Sequence, residues 1–245
     1  MAVTIVIPTY DHAEWLPETI DSALGQADEI IVVDDGSTDA TSEVVSAFPV
    51  RYHRQPNAGL SAARNTGLEL AATDLICFLD SDDTIPPRFI RTLTDAMEAQ
   101  PPDVAFAYSG VQMFGDDNRL FPPAPWSTEA IKVNNLASAT SLFRTAAIGP
   151  TRFDSRIRGW EDWEFAVALA ARGLRGVPVD ACTFNYRKHW DKPSIFDTLG
   201  ARAANFAKAK RYITRKHRRL YTPGERIRAE LDVLKAVGRD FKHRY

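Results

Sequence analysis

Cysteine is nearly missing from this 245-residue chain. Only Cys77 and Cys182 occur, each inside an apolar stretch, and no CxxC or Cys/His spacing is present. That excludes a disulfide-stapled scaffold and a structural zinc site, and leads us to expect buried reduced thiols in a cytoplasmic protein. Long apolar runs are missing too. The first, Val3 to Ile7, is closed by Pro8, too short for a signal segment or for the ~20 apolar residues of a membrane span. Neither GxGxxG nor GxxxxGK[ST] occurs, so no glycine-rich backbone cradle for phosphate is available. Repeats and low-complexity segments are absent. Net charge is small, but its distribution is uneven. Residues 196–245 carry 14 Lys/Arg against 5 Asp/Glu, and the rest of the chain is acidic. An acidic body with a basic tail leads us to expect no nucleic-acid partner.

What is present is a pattern of short apolar runs alternating with amphipathic stretches. Val3–Ile7, Ile30–Val33, Val50–His53 and Leu75–Leu79 read as strands. The stretch with Trp15, Leu16, Ile20 and Leu24 reads as a helix, as do Asp39–Phe48 and Leu60–Ala72. Continuous apolar strands separated by helices predict a parallel sheet covered on both faces. Right-handed crossovers make it a doubly wound half. Beyond residue 100 the pattern changes. Val104–Tyr108, Val111–Phe114 and Ala139–Arg144 read as strands, Gly115–Asn118 as a turn, Phe121–Pro125 as a loop and Glu161–Ala171 as a helix. No helix is assigned between the strand at 75–79 and residue 104. The tail reads as two amphipathic helices. Leu199, Ala203, Phe206, Ile213 and Leu220 line one face of the first, and Ile227, Leu231, Leu234 and Phe241 one face of the second. Thr222-Pro223-Gly224-Glu225 has the spacing of a capping box.

In open parallel sheets, ligands bind beyond the carboxyl ends of the strands. Here those ends are Pro8-Thr9-Tyr10-Asp11, Asp34-Asp35-Gly36-Ser37 and Asp80-Ser81-Asp82-Asp83. Two of the three carry several carboxylates. Capping and turn formation explain one such residue easily; clustered like charges at both ends need a further reason. Carboxylates repel a diphosphate unless a divalent cation stands between them, and oxygen ligands suit Mg²⁺ or Mn²⁺. The Asp-x-Asp end therefore reads as a platform for a metal and a diphosphate.

At this point the sequence resembles a known family. Ile5-Val6-Ile7-Pro8-Thr9-Tyr10, Glu29 through Asp39, Asn57 through Gly67, Leu79-Asp80-Ser81-Asp82-Asp83, the Glu161-Asp162 pair and Tyr186-Arg187-Lys188-His189 are similar, in this order, to the blocks of inverting family 2 glycosyltransferases. The resemblance covers about residues 3–195 and implies a GT-A-type α/β fold. A Rossmann-like nucleotide-sugar half (1–100) would be fused to an acceptor half (101–195), with residues 196–245 as a basic helical extension. It further implies sugar transfer from a nucleotide diphosphate sugar, most often a UDP-sugar, to a hydroxyl acceptor that could be a saccharide, a lipid-linked sugar or a protein. Pro8, Thr9 and Tyr10 would flank the base, Asp35 would hydrogen-bond it, and Asn57 and Arg64 would close that pocket. Asp80 would meet the ribose or the metal, Ser81 would stand among the nucleotide-sugar contacts, and Asp82 would bind Mn²⁺ or Mg²⁺. His189 would be a further metal or phosphate contact, with Arg187 near the diphosphate. Asp162 would be the general base and Glu161 would orient the acceptor. The sequence departs from the family pattern at Asp11, where Asn is usual, in the short Gln26–Glu29 connection, and in Gly149–Asp154, which fits the family's Gly-rich stretch only loosely.

The residue types fit that chemistry. An inverting transfer needs a base for the acceptor proton and a Lewis acid for the leaving diphosphate. Asp162 opens a helix, a place that favours an ionised carboxylate. Trp160 reads as an acceptor contact and Trp163 as core. His12, His53, His217 and His243 stand in no comparable context. A sugar-phosphate nucleotidyltransferase can share the half-fold, but it needs a Gly-rich basic loop after the first strand, and Pro8–His12 offers none. A non-catalytic nucleotide-sugar-binding protein is the other alternative, and the Asp80/Asp82/Asp162 set argues against it. For the tail three partners are open: the acidic body, a second subunit in a homodimer, or an anionic membrane inner face. The cluster Lys208, Lys210, Arg211, Arg215, Lys216, Arg218 and Arg219 favours peripheral attachment to an acidic surface.

Overall fold

A computed structural model of the chain describes residues 1–157, 159–189 and 199–242, with side chains except at 199–203 and 234–242. The sheet-forming and helical elements of the first half are β1 (Val3–Thr9), α1 (Leu16–Ala23), β2 (Glu29–Asp34), α2 (Thr41–Ser46), β3 (Arg51–Arg54), α3 (Leu60–Leu70), β4 (Leu75–Phe78) and α4 (Phe89–Glu98). There follow β5 (Val104–Gly115), β6 (Leu120–Phe121), α5 (Thr128–Ile131), β7 (Leu142–Arg144), α6 (Thr145–Ile148), α7 (Glu161–Ala170) and β8 (Arg175–Lys188), and then α8 (Leu199–Lys216) and α9 (Pro223–Lys242).

The strands form one sheet in the order β3-β2-β1-β4-β7-β5-β6, with β8 on the other side of β5. β1 runs parallel to both β2 and β4, in registers such as Ile5 to Ile30 and Ile5 to Cys77. Their carboxyl ends therefore open on one edge, as continuous apolar runs buried on both faces require. β7 is antiparallel to both β4 and β5 and carries the sheet from the first half of the chain into the second. Two apolar layers flank the sheet. One gathers Ile5, Ile7, Leu16, Ile20, Phe89, Leu93 and Met97; the other gathers Val6, Ile31, Phe78, Phe106, Phe153, Trp163 and Phe165.

Several expectations are corrected. The two strands expected at 104–108 and 111–114 are one strand, β5, with a register irregularity between Ser109 and Gly110. Gly110 permits it, because a Cβ there would lie 2.6 Å from the Phe121 carbonyl oxygen of β6. The strand expected from Ala139 is confined to Leu142–Arg144. Helix α4 was not expected at all, although Phe89, Ile90, Leu93 and Met97 repeat at helical spacing and are all buried. Leu220 belongs to the turn after α8 rather than to its face.

In the tail, Phe206 stacks on Trp163 with ring centroids 5.3 Å apart, and Ile213 is fully buried, so α8 packs against the body. The capping box is formed: Thr222 N–H donates to Glu225 Oε2 at 2.7 Å and Glu225 N–H to Thr222 Oγ1 at 3.3 Å. The partner of the α9 stripe was left open in the sequence, and its described residues do not face the body. Ala229 and Val233 face inward instead, and Ile227 and Leu231 are exposed. The side chains of Leu199, Ala203, Leu234 and Phe241, and the domain boundary expected at 195, lie outside the described residues.

Candidate active site

The site grows from the three strand ends. At the end of β2 both carboxylates are engaged by the chain itself. Asp34 is fully buried and accepts from Ser37 N–H at 2.7 Å and from the Tyr52 hydroxyl at 2.5 Å. Burial pushes its pKa up, but these hydrogen bonds outweigh burial and leave it lowered. Asp35 accepts Gln55 Nε2 and Ala58 N–H on Oδ1, at 2.7 and 2.9 Å, and Gly59 N–H on Oδ2 at 2.7 Å. It thereby fixes the turn into α3, is itself buried, and leaves one acceptor position on Oδ2 unused. Turn formation thus accounts for the adjacent acids at this end, which the sequence alone left in need of a reason. Thr9 is buried, while Tyr10 and Asn57 are exposed on the open edge.

The end of β4 is different. Asp83 is buried and accepts the Arg187 N–H at 2.8 Å. Burial, with the neighbouring Asp82 and Asp80 charges, raises its pKa well above the usual carboxylate value. Asp80 and Asp82 keep side chains 32% and 27% exposed, so they are the acids of this loop that solvent or a ligand can reach. The pKa of Asp82 is raised by burial and by Asp80, against the pull of His12 and His189. Thr19 of α1 holds the loop from beneath by donating to the carbonyls of Ser81 and Asp83 at 2.9 and 2.8 Å. Arg187 closes it from β8, donating Nε–H to the Asp82 carbonyl at 2.8 Å, pairing with Glu18 and lying 4.2 Å from the Phe114 ring.

His189 Nε2 lies 4.0 Å from Asp82 Oδ2, and its ring packs 4.4 Å from that of Trp15. That nitrogen is buried and has no hydrogen-bond partner among the described residues. A buried orphan nitrogen facing a carboxylate fits a divalent cation. Among the described residues no three His, Cys, Asp or Glu side chains converge closely enough to hold a metal. The remaining coordination positions would therefore fall to diphosphate oxygens and water, as Mg²⁺ and Mn²⁺ accept. His12, set aside in the sequence, belongs here: its Nδ1 is 2.8 Å from Ser81 Oγ and its ring packs edge-on to Trp15 at 5.0 Å. Its signal was its place just beyond the carboxyl end of β1.

Arg64 departs from its expected place in the nucleotide pocket. It is 2% exposed and joins two elements, donating Nη2 to Asp80 at 2.6 Å and Nη1 to Glu161 at 2.7 Å. Glu161 is thereby engaged inside the protein, at the first residue of α7. Asp162, the next residue, is half-buried. It accepts from Asn135 Nδ2 at 2.9 Å and from Trp163 N–H at 2.7 Å. The helix start was expected to keep it ionised. Instead burial, with the adjacent Glu161, pushes its pKa up to about 7, against the pull of Arg64 and Asn135. Sequence reasoning missed Asn135, which lies in a connection with no regular pattern. Trp160 is half-buried against Trp163 and Phe206, with centroids 6.0 and 5.0 Å away. Trp163 is core, its indole N–H donating to the Ile131 carbonyl at 2.6 Å.

Comparison with known proteins bears on this arrangement. The family model described as "Glycosyl transferase family 2" matches residues 4–152. An uncharacterized glycosyltransferase of Rickettsia felis is 43% identical over 188 residues, covering 71% of this chain and 31% of that protein. The uncharacterized glycosyltransferase EpsJ of Bacillus subtilis is 33% identical over 215 residues, covering 76% of this chain and 61% of that protein. The chain thus spans less than two thirds of the length of either relative. Among solved structures, Staphylococcus aureus TarS 1–349 in complex with UDP-GlcNAc superposes with a TM-score of 0.70 at 20% identity, over 99% of this chain and 73% of that one. A mannosyltransferase of Pyrobaculum calidifontis in complex with GDP-Man and Mn²⁺ gives 0.65 at 17% identity, over 96% and 73%. These likenesses show the GT-A fold. With the family model spanning more than half of its length, the chain belongs to glycosyltransferase family 2.

Proposed function

We propose that this chain is an enzyme that transfers a glycosyl group, with inversion, from a nucleoside diphosphate sugar to a hydroxyl acceptor, and that Asp162 is its general base. One observation carries the reading. A carboxyl group poised near pH 7 opens α7, and its neighbour Glu161 is tied through Arg64 to Asp80 at the end of β4. Base and donor loop are thus held in one rigid frame. In the reaction Asp162 accepts the proton of the acceptor hydroxyl as that oxygen bonds the anomeric carbon. The bond from that carbon to the diphosphate oxygen breaks on the opposite face, which inverts the configuration. Asn135 and the Trp163 N–H orient the base. A Mn²⁺ or Mg²⁺ ion held by Asp82 and His189 would neutralise charge on the departing diphosphate.

The strand ends of residues 1–100 form the donor half and residues 101–195 the acceptor half, with α7 at their junction. The unused acceptor position on Asp35 suits the uracil N–H, and Pro8, Thr9, Tyr10 and Asn57 border the same edge, which favours a UDP-sugar. Ser81 and Arg187 serve the donor side by holding the Asp80–Asp82 loop, and Trp160 stands beside the base on the acceptor side. Calorimetry with UDP and GDP in Mn²⁺ tests the donor half of this reading, and the anomeric configuration of the product tests the mechanism. Tighter binding of GDP overturns the uracil assignment. A product of retained configuration overturns Asp162 as base.

A further inference from the structure

Helix α9 presents two unlike faces. Inward, Ala229 and Val233 are buried. The acidic residues of its described part are paired with cations of α8 and the body: Glu225 with Lys132 at 2.7 Å, Glu230 with Arg215 at 2.6 Å and Asp232 with Lys210 at 3.2 Å. Outward, one turn apart on the same face, Ile227 is 61% and Leu231 46% exposed. In the sequence the same apolar spacing continues at Leu234 and Phe241. Arg228 beside them, Arg218 and Arg219 in the preceding turn, and Lys208 on α8 are exposed, and none of the four has an ion-pair partner among the described residues.

One exposed leucine is ordinary. Two at helical spacing, on a helix whose opposite face is already buried, form an unpartnered apolar stripe. The charge around it selects the occupant. Because the described acids of α9 are paired with cations of α8 and the body, the unpaired charge beside the stripe among the described residues is positive. A two-fold contact through this stripe would bring Arg218, Arg219 and Arg228 of both copies into one interface, a concentration of like charge. An anionic counter-surface has no such cost, and apolar residues flanked by Lys and Arg are the composition of helices that lie in a lipid interface. No described helix is long and apolar enough to cross a membrane, so the contact is one of lying on the surface.

We propose that the outer face of α9, made by Ile227 and Leu231 and flanked by Arg228, Arg218, Arg219 and Lys208, docks on an anionic phospholipid surface. This narrows the cluster expected from the sequence to Lys208, Arg218 and Arg219 and adds the outer face of α9. Four of that cluster's seven cations, Lys210, Arg211, Arg215 and Lys216, are held in ion pairs with Asp232, Glu230, Asp154 and Glu164. The inference is independent of the catalytic reading.

The test is co-sedimentation of the 245-residue chain with vesicles of phosphatidylcholine alone, or with roughly one third phosphatidylglycerol, at low and high salt. Binding is expected only to the anionic vesicles and only at low salt. Ile227→Asp/Leu231→Asp and, separately, Arg218→Glu/Arg219→Glu/Arg228→Glu should each lower the bound fraction at least ~10-fold with the melting temperature retained. Because all five positions are exposed, the second variant checks the first without touching the buried face of α9. Absence of binding at low salt, or equal binding to neutral vesicles, overturns the proposal. So does a dimer seen by light scattering that Ile227→Asp/Leu231→Asp dissolves without vesicle binding, which would assign the stripe to a second copy.

Discussion

Asp162 and Arg64 show how neighbours decide what a charged side chain can do. Asp162 at an ordinary carboxylate pKa would be a feeble base, whereas a value of about 7 gives it real proton affinity while leaving much of it ionised at neutral pH. Asp162→Asn should keep donor binding and lose roughly 10²–10⁴-fold in transfer rate. In the parent enzyme kcat should rise with pH through about 7, because the base acts only when deprotonated and its folded-state pKa is raised. Measurement of kcat from pH 5 to 9 checks the sign; a rate that is flat across this range removes Asp162 from the role. Arg64 bridges two carboxylates from a fully interior position. Arg64→Ala strands Glu161, itself buried, without its cation. Breaking a buried pair costs about 3–5 kcal/mol. At roughly 2–4 °C per kcal/mol for a chain of this size, thermal unfolding should shift down by at least ~6 °C. A shift within a degree would show that the bridge does not form.

The elements that carry the site were the most legible in the sequence, because buried parallel strands leave continuous apolar runs and their carboxyl ends announce the ligand edge. Less legible were elements defined by what packs on them. β5 reads as two strands because Ser109-Gly110 interrupts the apolar pattern, yet pairing with β8 carries the strand through. The close approach of α3 to β1 is likewise invisible in the sequence. A Cβ on Gly67 would come within 2.2 Å of Val6 Cγ1, and Val6 is fixed in the middle of the sheet. Gly67→Ala gains helix propensity of up to about 1 kcal/mol but forces overpacking that costs about 1–3 kcal/mol. The net result should be a lower midpoint in urea unfolding. A higher midpoint would mean that α3 stands farther from β1 than described.

Across the whole molecule, the sheet brings residues from five segments, 12–19, 35, 80–83, 161–162 and 187–189, to one edge and one adjoining helix start. The loop after β4 is acidic and the His189 Nε2 that faces it has no partner among the described residues, so chelation of divalent cations should weaken UDP binding at least ~10-fold and abolish turnover. Calorimetry with and without EDTA, followed by Mn²⁺ add-back, checks this. Undiminished turnover in excess chelator would falsify the metal assignment. The sequence by itself determined the order of β1 to β4 with α1 to α3 between them, the acidic strand ends and the family blocks, because each is local: a run, a spacing, a dipeptide. It also determined that the tail is basic and amphipathic. Only the tertiary structure decided which acids remain available. Asp34 and Asp83 look like Asp80 and Asp82 in sequence, but backbone N–H groups and partners from distant segments engage them. The tail divides in the same way. The cations of α8 find acids on α9 and the body, and the apolar stripe of α9 is left outward, since packing geometry and ion pairing between separate segments leave no mark on the sequence of either one.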